Sequence, residues 1–288
     1  MVAICFSSIH VDYNFNAFDC QALTNNVLKV YNIRDMNIND IKCFLLDLDG
    51  TVYIDGKLIA GAKQAIERMH KQGRVVFLTN NSSVTKDRYV KKLNDMELGV
   101  TELDIYTSTD ATKNWLKKNR PFSRLYVVGS DEVISDYAKD FCVTPPFDTV
   151  VLTFDKTLTY DKLVKACDLI SRGALYLATH PDYVCPMETG YIPDVGSFIM
   201  LVEGATKRKP DVICGKPYAP MAEGISEFTG VSPRFTAMFG DRLMTDIKFA
   251  CDNGMTGVLV LSGEATEEDY LSSGLKAIVK RSIAEWDR

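Results

Sequence analysis

The segment Cys43–Thr51 most constrains how this chain can fold, because a short apolar run stops there abruptly at two carboxylates and a glycine. An uninterrupted apolar run of this length predicts a strand buried on both faces, as in a parallel sheet covered by helices. Asp47 and Asp49 would then lie at its carboxyl end, where open α/β sheets bind ligands. Two acids so close repel each other, so the motif predicts a cation. An ordinary Asp-Gly turn is the alternative for this motif alone.

Further apolar segments along the chain alternate between strand and helix patterns. We predict strands at residues 75–78, 104–107, 212–214, 236–239, 258–261 and 277–279, and helices at residues 62–69, 89–96, 109–116 and 221–228. A repeated order of strand, helix and strand predicts a parallel sheet with right-handed crossovers. The predicted fold class is therefore α/β, with a Rossmann-like parallel sheet core, helices on both of its faces, and an inserted α/β domain.

The length of 288 residues favours two domains, because a single core stops growing at about 250–300 residues. Turn and charged residues at Asn119–Pro121 and Lys207–Pro210 flank a segment with its own alternation of strands and helices. We therefore predict a core formed by residues 1–121 and 208–288, with residues 122–207 inserted as the second domain. Residues 1–40 are expected to form an irregular lead-in with a helix near residues 22–31, and residues 180–196 a long loop.

Charge and hydropathy argue against several classes of protein. The formal net charge of −5 does not suit a nucleic-acid-binding protein, which would usually carry a basic face. No apolar run approaches the roughly 20 residues of a membrane span, and the apolar start of the chain is too short for a signal sequence. We therefore expect a cytoplasmic protein. The eight cysteines include no C-x-x-C pair, so neither a zinc site nor a redox dithiol is indicated.

Potentially catalytic groups end four of the predicted strands, and in one parallel sheet all four ends lie on the same edge. They are Asp47 with Asp49, Thr79 with Asn80, Lys216, and Asp241 with Asp246. The four acids, with no histidine beside them, suit a hard divalent ion such as Mg²⁺. Hydroxyls of Thr79 or Ser82, the Asn80 amide and the Lys216 ammonium suit a phosphate group. Taken alone, Lys216 is better explained as a surface lysine before a proline turn.

This set of groups predicts phosphoryl chemistry. A carboxylate that faces a phosphoryl group can attack it and form an aspartyl-phosphate, and we predict Asp47 as this nucleophile. Asp49 can then protonate the leaving oxygen and later activate water. A receiver-like phosphoacceptor signalling domain is the alternative that is not an enzyme, but Asp49 and the inserted domain argue against it. Transfer of the phosphoryl group to an acceptor other than water stays open.

Four ordered motifs in this chain resemble those of the haloacid dehalogenase superfamily of phosphatases. They are Asp47-Leu48-Asp49-Gly50-Thr51, Thr79-Asn80-Asn81-Ser82, Gly215-Lys216-Pro217, and Gly240-Asp241-Arg242 with Asp246. The form of the second and fourth motifs is similar to the branch of 4-nitrophenylphosphatases and phosphoglycolate phosphatases, which includes chronophin. The resemblance spans roughly residues 41–260. The lead-in before Asp47 is longer than this branch leads us to expect, and the inserted segment is shorter.

The resemblance implies a role for each motif residue. Mg²⁺ would be held by the Asp47 carboxylate, the Asp49 main-chain carbonyl and Asp241, with Asp246 orienting a metal-bound water. Phosphate would be bound by Thr79, Asn80, Asn81 and Lys216. Residues 122–207 would form the large α/β cap of this branch, which shields the site from water. A homodimer formed through the caps, as in relatives, stays open because the cap is short.

The resemblance also implies the class of substrate, a small phosphorylated metabolite. We expect 2-phosphoglycolate first and pyridoxal phosphate next, with 4-nitrophenyl phosphate cleaved as an artificial substrate; a phosphoprotein is the alternative within the same branch. The cap loop from His180 to Ser197, with Tyr183, Glu188 and Tyr191, is predicted to contact the part of the substrate beyond the phosphate. His180 itself is better explained as a packed or hydrogen-bonded loop residue than as a ligand.

Overall fold

The computed structural model describes residues 38–187 and 189–287; the helix predicted near residues 22–31 and Glu188 lie outside the described residues. The strands are β1 Cys43–Leu46, β2 Tyr53–Ile54, β3 Lys57–Leu58, β4 Arg74–Thr79, β5 Ile105–Thr107, β6 Leu125–Val128, β7 Thr149–Leu152, β8 Leu175–Ala178, β9 Val184–Met187, β10 Gly190–Pro193, β11 Val212–Ile213, β12 Thr236–Gly240, β13 Thr256–Val260 and β14 Ile278–Lys280. The α-helices are α1 Ala62–Gln72, α2 Lys86–Asp95, α3 Ser108–Asn119, α4 Asp131–Ala138, α5 Tyr160–Ser171, α6 Val195–Thr206, α7 Ala219–Thr229, α8 Lys248–Asp252 and α9 Glu267–Ser273.

A six-stranded parallel sheet forms the centre of the fold, in the order β14-β13-β12-β1-β4-β5. Strand β1 lies in its middle, with Leu46 beside Phe239 on one side and Phe77 on the other. All four residues of β1 are buried, as the apolar run predicts for a strand covered on both faces. The α/β class with a parallel sheet and helices on both faces is therefore confirmed.

The helices lie close to their predicted positions, and their apolar spacing gives the reason. Helix α1 buries Ala62, Ala65, Ile66 and Met69, which recur on one face. Helix α3 begins one residue earlier than expected, because Thr107 and not Ser108 or Thr109 is the N-cap. The Thr107 hydroxyl accepts from the Asp110 N–H at 3.1 Å, and the Asp110 carboxylate accepts from the Thr107 N–H at 2.8 Å. This reciprocal capping box satisfies two backbone donors at once.

The predicted inserted segment supplies β6, β7 and β8 to a second parallel sheet of four strands, in the order β11-β8-β7-β6. It extends past residue 207, because β11 pairs with β8. The prediction that the strand before Lys216 belongs to the first sheet is therefore wrong. A two-residue apolar strand has the same sequence pattern in either sheet, so the pattern could not indicate which of the two sheets β11 joins.

Continuous apolar packing joins the two sheets. Leu45 and Val76 of the first sheet belong to the same buried cluster as Val127, Val151 and Leu177 of the second. The other face of the second sheet packs on α5 and α6 in a cluster of its own, which includes Val150, Tyr176 and Phe198. The second sheet is therefore buried on both faces, like the first.

Two antiparallel hairpins stand outside these sheets, β2 with β3 and β9 with β10. The second hairpin occupies the segment predicted as a long loop. Its strands have four residues each, pair only with each other, and contain Pro186 and Pro193, so no alternation of apolar residues marked them. Across the described ranges, every helix is too short or too polar to cross a bilayer.

Candidate active site

The first sheet brings together three of the predicted strand ends. Strand order reverses at β1, with β4 on one side and β12 on the other, and ligands bind at such a point. Asp47 directly follows β1, and its backbone N–H donates to the Phe239 carbonyl at 2.9 Å. Thr79 ends β4, and Asp241 follows β12. Lys216 reaches the same place from the second sheet, three residues after β11.

Lys216 is the buried cation of this site, with 1% of its surface exposed. Its Nζ donates to Asp47 Oδ1 at 2.6 Å, to Asp246 Oδ1 at 2.7 Å and to the Leu78 carbonyl at 3.3 Å. These acceptors use all three N–H groups of the ammonium. Burial alone would lower the pKa of Lys216, but Asp246 and Asp47 outweigh it and raise the pKa, so the side chain stays charged.

Asn80 fixes the backbone of Lys216. Its Oδ1 accepts from the Lys216 N–H at 2.8 Å, and its Nδ2 donates to the Lys216 carbonyl at 3.0 Å and to Asp182 Oδ2 at 3.1 Å. Both amide hydrogens are therefore committed to protein acceptors. A side chain at Gly215 would not fit here, because its Cβ would lie 2.7 Å from Asn80 Oδ1. A direct bond from the Asn80 side chain to phosphate stays a prediction, and it would require one of these bonds to be exchanged.

The other residues of the second motif divide into two groups. Thr79 Oγ1 accepts from the Asn81 N–H at 3.2 Å, which leaves its own hydrogen able to donate into the cavity that it lines. Asn81 lines the same cavity, although its Oδ1 is engaged by the Ser83 N–H at 2.9 Å and the Ser83 hydroxyl at 2.8 Å. The Ser82 hydroxyl instead contacts Thr179 Oγ1 at 2.8 Å, away from the cavity.

Carboxylate oxygens of Asp47, Asp241 and Asp246 lie within 4.8 Å of one another. Asp241 Oδ2 accepts from the Glu264 N–H at 2.7 Å, but its Oδ1 is buried without a hydrogen-bond partner among residues 38–187 and 189–287. Burial and the neighbouring Asp47 raise the pKa of Asp241. An unpartnered buried carboxylate oxygen beside a second carboxylate fits a hard divalent cation.

Asp246 is held differently from these two acids. It lies in the π-helical turn Leu243–Ile247 that opens α8, a kind of turn frequent at functional sites. Its Oδ1 accepts from Lys216, and its Oδ2 accepts from the Arg242 N–H at 3.2 Å. Both Asp246 oxygens accept hydrogen bonds, whereas Asp241 keeps an oxygen without a partner among the described residues, so Asp47 and Asp241 are better placed than Asp246 to hold a cation directly. Gly50 makes room for Asp241, because a Cβ there would lie 2.2 Å from Asp241 Oδ2.

Asp49 is oriented by a residue that the sequence analysis missed. The hydroxyl of Tyr53, on β2, donates to Asp49 Oδ2 at 3.1 Å, and Lys92 Nζ lies 3.8 Å from the centre of the Tyr53 ring. Burial raises the pKa of Asp49 and Asp47 adds to this, while Lys92 and Tyr53 oppose it. A raised pKa favours the protonated carboxyl that a general acid needs. The sequence could have indicated Tyr53, because it lies only four residues after Asp49. Nothing in the sequence indicated that Lys92 would contact the Tyr53 ring.

A cavity of about 260 Å³ opens above these groups. On the side of the second sheet it is lined by Lys156, Asp182, Asp194 and β9, and on the other side by Arg242 and Thr245. Of the loop predicted to contact the substrate, Asp182, Val184–Met187 and Asp194 line this cavity, whereas Tyr183 and Tyr191 do not line it and are 61% and 71% exposed. His180 is fully buried and hydrogen-bonded, as the sequence interpretation favoured.

Two family models match this chain. The haloacid dehalogenase-like hydrolase model matches residues 44–140, and a HAD-hydrolase-like model matches residues 213–285. The first contains Asp47, Asp49 and the second motif, and the second contains Lys216, Asp241 and Asp246. The segment between them contains most of the second sheet.

Individual proteins agree with these matches. The chain is 31% identical to the sugar-phosphatase AraL of Bacillus subtilis over 248 residues, which are 82% of this chain and 91% of the relative. The structure of a 4-nitrophenylphosphatase from Thermotoga maritima is 39% identical, with a TM-score of 0.83 over 86% of this chain and 97% of that one. A glycerol phosphate phosphatase from Mycobacterium tuberculosis, solved in complex with calcium, is 26% identical, with a TM-score of 0.79 over 86% of this chain and 75% of that one.

The fold, the site and these similarities lead to one assignment. A buried lysine between two carboxylates, a third carboxylate with a free oxygen and a cavity above them suit phosphoryl transfer. The chain belongs to the haloacid dehalogenase-like hydrolases, in the 4-nitrophenylphosphatase branch, and it is a phosphoric monoester hydrolase.

Proposed function

We propose that this chain hydrolyses phosphate monoesters of small metabolites with Mg²⁺, through an aspartyl-phosphate on Asp47, and that 2-phosphoglycolate is its preferred substrate. One observation carries the proposal. Lys216 Nζ lies within 2.7 Å of oxygens of both Asp47 and Asp246, beside the unpartnered oxygen of Asp241. This arrangement supplies a nucleophile, a fixed positive charge and a metal-binding carboxylate around one point.

The reaction proceeds in two steps. In the first, an oxygen of Asp47 attacks phosphorus, the bond from phosphorus to the leaving oxygen breaks, and the Asp49 proton passes to that oxygen. In the second, the Asp49 carboxylate takes a proton from water as the water oxygen attacks phosphorus. The bond from phosphorus to the Asp47 oxygen breaks, so inorganic phosphate leaves and the Asp47 carboxylate is restored. Lys216 and Thr79 bind the phosphoryl oxygens, and Asn80 keeps Lys216 in place.

The residues that would hold Mg²⁺ are Asp47, Asp241 and, by resemblance, the Asp49 main-chain carbonyl. When bound, the ion neutralises charge on the phosphoryl oxygens as they approach the carboxylates. Hard oxygen ligands in small number suit Mg²⁺, which keeps its other positions for water and phosphate. The calcium in the mycobacterial relative is consistent with a divalent ion in such a site.

The preference for 2-phosphoglycolate is supported by cations at the cavity wall. Arg242 Nε pairs with Glu264 at 3.0 Å, and Lys92 Nζ lies 3.8 Å from the centre of the Tyr53 ring. Lys156 Nζ lies farther, 5.1 Å, from the centre of the Phe154 ring and has no ion-pair partner among the described residues. Lys156 projects from a turn in which Asp155 Oδ1 accepts from the Thr157 N–H at 2.7 Å and Asp155 Oδ2 pairs with Lys162 at 2.7 Å. An unpaired cation on an ordered turn suits a carboxylate on the leaving group. Pyridoxal phosphate is the next candidate.

Sugar and glycerol phosphates are the second candidate class. The names of the relatives point to them, and Asp182 in the cavity wall offers a carboxylate that can accept from a hydroxyl.

A phosphoprotein is disfavoured, because a cavity of about 260 Å³ beneath β9 suits a small molecule. A receiver-like signalling role is disfavoured by Asp49, because this carboxylate would activate the water that hydrolyses the phosphoaspartate. We expect a cytoplasmic location, and a homodimer stays open.

A metabolite panel tests this function. The native chain is assayed for release of inorganic phosphate from 2-phosphoglycolate, pyridoxal phosphate, glycerol phosphate, sugar phosphates, a phosphopeptide and 4-nitrophenyl phosphate. We expect activity on small esters with added Mg²⁺, and a loss of about a hundredfold or more with a chelator. Faster hydrolysis of the phosphopeptide than of any metabolite would contradict the proposed substrate class.

Lys156→Met tests the preference for a carboxylate. We expect kcat/KM for 2-phosphoglycolate to fall about tenfold, because one charge-assisted bond is lost, and kcat/KM for 4-nitrophenyl phosphate to stay within about twofold. Lys165→Met on α5 is the matched control, since its side chain is 49% exposed and its nearest acid is 4.0 Å away. An equal loss on both substrates would show that Lys156 does not recognise the leaving group.

A further inference from the structure

His180 joins the two ends of the β9–β10 hairpin inside the protein. Its exposed fraction is 0%, and its Nε2 lies 2.9 Å from Oδ1 of Asp194, which follows β10. Its Nδ1 lies 3.1 Å from Thr179 Oγ1, at the end of β8. Both ring nitrogens are therefore engaged, one toward each side of the hairpin base.

The same chain of hydrogen bonds continues into the loop after β4. Ser82 Oγ accepts from the Phe154 N–H at 2.9 Å and lies 2.8 Å from Thr179 Oγ1. Because the Phe154 N–H can only donate, the Ser82 hydroxyl is free to donate to Thr179. Thr179 can then donate to His180 Nδ1 at 3.1 Å in preference to the Leu152 carbonyl at 3.3 Å, and His180 Nε2–H can donate to Asp194. This order satisfies every member of a buried network, which makes such a network rigid.

A second link joins the hairpin base to the same loop. Asn80 Nδ2 donates to Asp182 Oδ2 at 3.1 Å, and the backbone N–H groups of Gly196 and Asp194 donate to the carbonyls of Asp182 and Tyr183 at 2.8 Å and 2.9 Å. The loop that carries Thr79 and Asn80 is thus bonded directly to the base of the hairpin. Strand β9 in turn lines the cavity.

We propose that His180 is a positioning residue that holds β9 at a fixed distance from the phosphate-binding loop, so that the hairpin selects the leaving group. This inference rests on the proposed phosphatase function, because it needs a phosphoryl group bound below the hairpin. His180 does not line the cavity, so it acts through Asp194 and the hairpin. A misplacement of about 1 Å in such a support can change rates by about a hundredfold.

Two substitutions break the network at different points. In His180→Asn the amide can replace Nδ1 and keep the Thr179 bond, but it is too short to reach Asp194. In His180→Gln the amide can reach the position of Nε2 and keep the Asp194 bond, but it loses Thr179. His70→Asn is the matched control, because His70 is exposed on α1. Ser82→Ala breaks the network at the other end with a small side chain, and it decides the test if the histidine variants do not fold.

The readout is a ratio of kcat/KM values, that of 4-nitrophenyl phosphate over that of the best aliphatic ester in the panel. We expect His180→Asn, His180→Gln and Ser82→Ala to change this ratio about tenfold or more, mainly through KM, while inhibition by inorganic phosphate stays within about twofold of native. An unchanged ratio, with or without lower thermal stability, would overturn the proposal, and so would an equal weakening of phosphate inhibition. Failure of the proposed function would appear separately, as a native chain that hydrolyses neither ester.

Discussion

Asp47→Asn is expected to lower kcat by about four orders of magnitude or more, because an amide is no nucleophile. The substitution keeps the shape of the side chain and the oxygen that accepts from Lys216 at 2.6 Å, so the site should stay assembled. It also removes one of the two carboxylates that can hold the metal directly, which adds to the loss. Release of inorganic phosphate from 4-nitrophenyl phosphate with Mg²⁺ measures the effect.

Asp95→Asn provides the control for this substitution. Asp95 is an exposed acid on α2 that pairs with Lys91 at 2.6 Å, and an exposed pair of this kind contributes about 1 kcal/mol or less to stability. We expect native activity in this variant and native circular dichroism in both. Activity of Asp47→Asn within tenfold of native would mean that another group attacks the phosphoryl group.

Lys216→Met is expected to affect both activity and stability strongly. It would leave two carboxylates without their cation, and breaking a buried ion pair from one side costs about 3–5 kcal/mol. We expect kcat/KM to fall by about three orders of magnitude, because the fixed positive charge beside the nucleophile is lost. Denaturant unfolding measures the free energy of unfolding. Burial already raises the pKa of Asp246, so the loss of stability should shrink as the pH falls and Asp246 takes up a proton.

The double variant Lys216→Met with Asp246→Asn separates these two effects. Removing the stranded charge at position 246 should restore much of the free energy of unfolding that the single variant loses. It should not restore activity, because the ammonium that pairs with Asp47 is still missing. If activity returned together with stability, Lys216 would be a structural residue only.

The positions of Asp47, Thr79 and Asp241 could be predicted from the sequence because each follows an apolar strand of one parallel sheet. In such a sheet the carboxyl ends share one edge whatever the details of packing. Lys216 was expected at this edge for the wrong reason. Its strand lies in the second sheet, and the side chain reaches Asp47 because Asn80 fixes its backbone.

The cavity wall could not be predicted in the same way. Strand β9 is short and contains Pro186, and its place above the site depends on hydrogen bonds between residues far apart in the sequence. Ser82 and Thr179 are 97 residues apart, and a periodic sequence pattern cannot predict a contact between residues so far apart. The contact between Tyr53 on β2 and Lys92 on α2 likewise depends on how these two elements pack together. Side-chain networks of this kind are decided by tertiary packing, so the residues near the leaving group were the ones missed.

The most direct test of the aspartyl-phosphate mechanism uses Asp49→Asn, which lacks the group that activates water in the second step. The 4-nitrophenolate leaving group needs no proton from Asp49, so the first step should still occur and the intermediate should accumulate. After mixing with 4-nitrophenyl phosphate and acid quenching, peptide mass spectrometry should find a phosphoryl group on Asp47, with a burst of about one 4-nitrophenolate per chain. Turnover with Asp47 unmodified, or a phosphoryl group on another residue, would contradict the mechanism.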